Sequence, residues 1–186
     1  WAIVLGTMPA ILVGFFLSDW LENYFRNPTY VAYALIVGSI IMFLADNLSK
    51  VMPHLYKNQG GISVIKGFFI GIFQALALIP GISRSGSTIS GGLIFGLSRE
   101  EAIRFAFLLG IPAILGAALK PFLDLDFQNS SIIYNLLSIN SLLGFAAALL
   151  SGLWAVKFLV RYLSSHSFTP FIIYRLLLAG AILLFL

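Results

Sequence analysis

IKGFFIGIFQALALIPGISRSGSTISGGLIFGL, residues 65–97, is an apolar stretch that breaks in its middle. Pro80-Gly81 interrupts it, and a polar cluster from Ser83 to Ser90 sits where a membrane helix would be most apolar. Each half is about a dozen residues long, which at 1.5 Å per residue reaches roughly 18–20 Å. The hydrocarbon core of a bilayer is about 30 Å thick, so neither half spans it alone. The segment either crosses once as a broken helix or enters and returns on the same side.

The chain around it belongs in a membrane. Of its 186 residues 60% are hydrophobic and 10% charged, where a soluble domain is typically about half apolar and a quarter charged. Apolar runs cover Trp1–Leu17, Tyr30–Leu48, Ala102–Leu119, Leu136–Val160 and Phe171–Leu186, and each is expected to form a spanning helix. Polar links are expected over Ser18–Thr29 and Met52–Ser63. Ser98 and Glu101 have capping-box spacing ahead of the third run, and Pro112 is expected to kink that helix. Trp1 already lies inside an apolar run with no signal-peptide pattern before it, so the chain is expected to be a piece of a longer protein.

Charge decides between crossing and returning. If residues 65–97 return, one side of the membrane carries Lys50, Lys57, Lys66, Arg99, Arg104, Lys157 and Arg161. The other then holds Arg26 and Lys120 beside Asp19, Glu22, Asp124 and Asp126. If the segment crosses once, the basic residues divide almost evenly, against the bias of cytoplasmic loops towards Lys and Arg. The expected fold is therefore an all-α polytopic membrane protein, a single integral membrane domain over 1–186. It has about five transmembrane helices and one re-entrant helix–loop–helix hairpin entering from the cytoplasmic side. The net charge of +4 does not imply nucleic acid, because the basic residues punctuate apolar runs rather than cluster on a polar face. The absence of cysteine excludes disulfides, thiolate chemistry and Cys-ligated metal.

Irregular backbone at membrane depth is tolerated where it is buried in protein or lines a polar cavity, so the hairpin tip is where function is sought. Arg84 is charged at any physiological pH, and no Asp or Glu occurs between Asp46 and Glu100. Its partner is a ligand or a carboxylate from elsewhere in the protein. Ser83, Ser85, Ser87 and Thr88 supply hydroxyl donors, and Gly81 and Gly86 allow close backbone approach, with Gly86 expected to open the second half-helix. A helix N-terminus with an arginine fork beside it suits phosphate. The alternative is structural: serines as interhelical glue, and Arg84 paired with a carboxylate.

Gln74 stands one and a half turns before Pro80, in a cavity-facing role or an interhelical hydrogen bond. Gly67/Gly71 and Gly92/Gly96 are expected to let the half-helices pack closely, while Asp46 and Arg175 lie just inside span ends and are expected to snorkel in structural roles. His54 and His166 fall in separate loops, which gives no support to a metal site.

GIFQALALIPGISRSGSTISGGLIFGLSREEA, residues 71–102, resembles the second signature region of bacterial undecaprenyl-diphosphate phosphatases, also called bacitracin-resistance proteins, with its P-G-x-S-R-S loop and T-I-S-G-G helix. Leu5–Phe16 and Phe168–Ala179 resemble the family's preceding and closing helices, so the resemblance covers nearly the whole chain. It implies half or more of an inverted-repeat fold whose re-entrant tips meet at the site. The implied setting is the bacterial plasma membrane, and the implied activity is removal of the terminal phosphate of undecaprenyl diphosphate, returning the monophosphate to cell-wall precursor synthesis. Arg84 and Ser83 would be catalytic, with Ser85, Gly86, Thr88 and Gln74 binding the diphosphate. A divalent cation, Mg or Ca, and a homodimer are implied as options, and a polyprenyl diphosphate and membrane lipids as partners.

The family's first signature, an E-x-x-x-E followed by P-x-S-S-T-G-H, is absent from these residues. In the family it would supply the nucleophilic serine, the histidine and the acidic groups, so the chain alone is expected to be inactive. A lipid-phosphate transporter using the same hairpin is the main alternative, and a non-catalytic membrane scaffold a third.

Overall fold

A computed structural model describes residues 1–51, 61–123, 125, 134 and 138–186. The expected loop Met52–Ser63 lies mostly outside these residues, with His54 and Lys57, as do Asp124, Asp126 and Leu136. The described residues form α1 (Ala2–Tyr24), α2 (Pro28–Val51), α3 (Val64–Leu76), α4 (Arg84–Ile94), α5 (Arg99–Leu123), α6 (Ile139–Ser165) and α7 (Thr169–Phe185). The all-helical membrane architecture expected from the sequence is what is found.

α2, α5 over Arg99–Leu119, and α6 are long and apolar enough to cross a membrane. The apolar part of α1, Ala2–Ser18, and the 17-residue α7 are shorter, at the lower end of what a bilayer requires. Two boundaries differ from expectation. α1 runs through most of the expected polar link to Tyr24, and α2 continues past Leu48 to Val51. Amphipathic and charged residues prolong a helix readily once it leaves the hydrocarbon, because water satisfies its exposed face. α5 is continuous through Pro112.

The half-helices α3 and α4 have 13 and 11 residues and pack against each other. Ser63 caps α3, its Oγ accepting from Lys66 N–H at 3.2 Å. Between them, Ile82 N–H donates to Ile79 O at 3.1 Å across Pro80-Gly81. Proline second and glycine third, with Gly81 at φ +102°, is the type II turn pattern. α4 starts at Arg84, two residues before the expected Gly86, because Ser83 Oγ accepts from Gly86 N–H at 3.3 Å and serves as the N-cap. Ser83 itself has φ +70°, a strained conformation for a non-glycine residue that costs about 1–3 kcal/mol and collects at functional sites.

The hairpin returns to the side it left. Arg99, just beyond α4, pairs with Asp46, which precedes α3, and Lys50 Nζ reaches the same carboxylate at 2.6 Å. Asp46 is buried rather than snorkelling, held between the base of the hairpin and α5. Ser98 N–H and Oγ both donate to Glu101 Oε2, at 3.0 and 2.7 Å, completing the expected capping box. Asp46→Ala is expected to lower stability by about 1–3 kcal/mol, chiefly through the Arg99 contact, because Lys50 is half exposed and its pair is worth little. Thermal unfolding in detergent measures this, and an unchanged Tm would show that the clasp contributes nothing.

The small residues act differently from expectation. Gly67 and Gly71 pack against Ala2 and Gly6 of α1, Gly92 faces Ala102 of α5, and Gly96 takes φ +78° in the turn after α4. The half-helices instead meet through Gly91 against the Phe73 ring and through Ser87 Oγ, which donates to Phe73 O at 2.7 Å. α4 is thus enclosed by α2, α3 and α5, with Ile70, Ile89, Leu93, Ile103 and Leu109 at the centre. α7 lies along α2. α6 packs on α5, buries only Leu163, and turns side chains such as Leu150 and Trp154 outward, a surface suited to hydrocarbon.

Candidate functional site

The enclosure of α4 places its N-terminus deep in the helix bundle, about 16 Å along the axis from its return end at Ile94. Arg84 opens the helix. Its guanidinium lies beside Gly110 of α5, where even an added methyl would remain 3.7 Å away. Among the described residues the Arg84 guanidinium makes no hydrogen bond or ion pair, and the residue is exposed. A charged fork with no protein partner, at the positive end of a helix, can take an oxyanion by two parallel N–H···O bonds.

The other expected site residues divide into two groups. Ser83, Ser85 and Gly86 border a cavity of about 210 Å³ together with Met42, Tyr174 and Arg175. Thr88 is brought less directly to the site: it is buried and its Oγ1 donates to Arg84 O at 2.8 Å, tying down the turn that carries the arginine. Gly86 sits close against Met42: a Cβ there would lie 2.7 Å from Met42 Sδ, the far end of a flexible side chain that would have to shift.

Gln74 is 2% exposed, and among the described residues neither Nε2 nor Oε1 has a hydrogen-bond partner; Ser90 Oγ is buried in the same condition. Each such atom costs about 1–3 kcal/mol while unpaired, a cost a polar ligand or side chain would remove.

Sequence reasoning missed the part played by Arg175. It does not snorkel to the membrane surface but lies buried against the hairpin tip, bonded to its carbonyls. The available signal was a lone cation within an apolar helix, which reads equally as a snorkelling end residue.

A larger cavity, about 430 Å³, opens at the base of the hairpin between Lys50, Arg99, His166 and several serines. It lies at the opposite end of α4 from Arg84 and does not reach the loop. No group of three or more His, Asp or Glu capable of holding a metal occurs among the described residues. These residues do not form a metal cage by themselves.

The model of the family described as bacitracin resistance protein BacA matches residues 1–181. The chain belongs to this family. It is also 38% identical over 184 residues to the undecaprenyl-diphosphatase of Elusimicrobium minutum (strain Pei191), covering 99% of this chain and 66% of that relative. The chain therefore spans just under two thirds of the length of the curated relative it matches. The membership agrees with the resemblance carried by the P-G-I-S-R-S loop, and that loop is the tip of the buried hairpin.

Proposed function

We propose that this chain is the phosphate-holding portion of an undecaprenyl-diphosphate phosphatase of the bacterial plasma membrane. The observation that carries the reading is Arg84: an exposed arginine at the N-terminus of a buried half-helix, without a protein partner among the described residues. The name of the relative supplies the substrate class.

In this reaction water is added across the P–O–P anhydride. The terminal phosphoryl group leaves as inorganic phosphate and the lipid keeps the inner phosphate. Charge on the transferring group is met by the Arg84 fork and by the N–H groups of Arg84 and Ser85 at the start of α4, Gly86 N–H being taken by the Ser83 cap, and these donors are fixed in place before the substrate arrives. Thr88 holds the Arg84 backbone, and Ser87 holds α4 on α3, so the donors do not reorganise during the step. Ser83 and Ser85 stand beside the same turn as further hydroxyl donors. The Gln74 amide is a group a bound polar ligand would satisfy. A nucleophile and base of the Ser/His type do not appear at this loop. The longer relative has length beyond the matched span in which to carry them.

The test is phosphate release from undecaprenyl diphosphate in detergent, by this chain beside a version extended upstream to its natural start. Release only by the extended protein is the expected result. No release by either, with lipid phosphate still bound, would replace the phosphatase with a lipid-phosphate transporter.

A further inference from the structure

Arg175 is 8% exposed, about 9 Å along α7 from Thr169. Its Nε donates to Ser39 Oγ at 3.1 Å, and its Nη2 to Leu35 O at 3.2 Å, Gly81 O at 2.6 Å and Ile82 O at 3.3 Å. All four acceptors are neutral. A buried cation within an apolar helix of a membrane protein normally marks function, and here two of its four acceptors are backbone carbonyls of the loop that precedes Arg84. Gly38 makes room for it: a Cβ there would overlap Arg175 Nη2 and lie 2.7 Å from Ile82 O.

These bonds set the direction of the loop. In a trans peptide the C=O and the following N–H point in opposite directions. Holding Ile82 O toward α7 therefore turns Ser83 N–H away from Arg175. Released, the Ile82 carbonyl would be free to swing into the space an anion must occupy, the Gly81–Ile82 peptide would keep only its turn bond from Ile82 N–H to Ile79 O, and Ser83 would lose the constraint that keeps it at φ +70°.

We propose that Arg175 is a positioning residue of the anion-facing loop, holding the Gly81 and Ile82 carbonyls away from the phosphate and so fixing the N-terminal turn that carries Arg84. It acts through the loop backbone and is not assigned contact with the reacting atoms. The proposal deepens the phosphatase reading and rests on it for its catalytic consequence, whereas its structural consequence stands independently.

The experiment is amide hydrogen exchange on purified protein in detergent for wild type, Arg175→Lys, Arg175→Met and Gly38→Ala, with phosphate release from undecaprenyl diphosphate measured on the upstream-extended protein. Arg175→Met and Gly38→Ala should raise exchange across Ile79–Ser87 by about tenfold or more, leaving α5 and α6 unchanged. Arg175→Lys, able to reach a single carbonyl, should fall between. Turnover should drop by about 10–100-fold with KM within about threefold, the signature of misplaced rather than missing binding groups. Should Arg175→Met not fold, Arg175→Lys and Gly38→Ala carry the test. Unchanged exchange at the tip, or a rise spread evenly over α2 to α5, would overturn the proposal. A wild-type protein that releases no phosphate but shows the local exchange change would overturn the phosphatase reading and leave the positioning role in place.

Discussion

Arg84→Ala, in the upstream-extended protein, is expected to lower phosphate release from undecaprenyl diphosphate by about 10³-fold, with no loss of thermal stability. The size follows from what the side chain does in the proposed site. A preorganised donor aimed at developing charge is worth about 10²–10³ in turnover, and a guanidinium on a transferring phosphoryl group about 10³–10⁵. Stability should hold because Arg84 is exposed and its guanidinium makes no hydrogen bond or ion pair with the described residues. Arg84→Lys should recover part of the rate, since it restores the charge but not the two-pronged geometry. Turnover within about threefold of wild type in Arg84→Ala would remove the residue from the site.

Gly71→Ala is expected to destabilise the protein by about 3 kcal/mol or to prevent folding. Its Cβ would overlap Gly6 O of α1 and lie 2.7 Å from the Gly6 carbonyl carbon and 2.9 Å from Gly6 Cα. These are backbone atoms in a helix, with no rotamer to yield, so the two helices must separate and lose close packing along their length. Gly144→Ala in α6 is the control. Among the described residues nothing lies within 4 Å of its Cβ position, and replacing a mid-helix glycine there should be neutral or stabilise by up to about 1 kcal/mol. Thermal unfolding of both variants in detergent makes the comparison. Equal melting of Gly71→Ala and wild type would mean that α1 does not lie on α3.

The hairpin was legible in the sequence because its signals are local: a Pro-Gly break, halves too short to cross, and basic residues that fall on one side only if the chain returns. Arg84 was legible because an arginine without a nearby carboxylate demands an external partner. What could not be read were choices among partners distant in sequence. Gly67 and Gly71 advertise close packing but do not say whether α4 or α1 is the neighbour; α1 is. The depth of Arg175 depends on how α7 lies along α2, which its own apolar pattern leaves open. The cap at Ser83 depends on a positive φ that a serine rarely adopts, so the sequence pattern points instead to Gly86 as the place for the helix to open.

The guanidinium that satisfies the tip carbonyls comes from a helix synthesised 94 residues after Gly81. During translation the hairpin is therefore made, and its polar tip must find shelter, well before α7 exists. Arg99 is available early and can close the base of the hairpin on Asp46. The loop itself can reach its final backbone form only when α7 has inserted beside α2. Availability thus has a built-in order: the contact that closes the hairpin base can form before the one that fixes its tip, whose donor lies in the last of the described helices to be made.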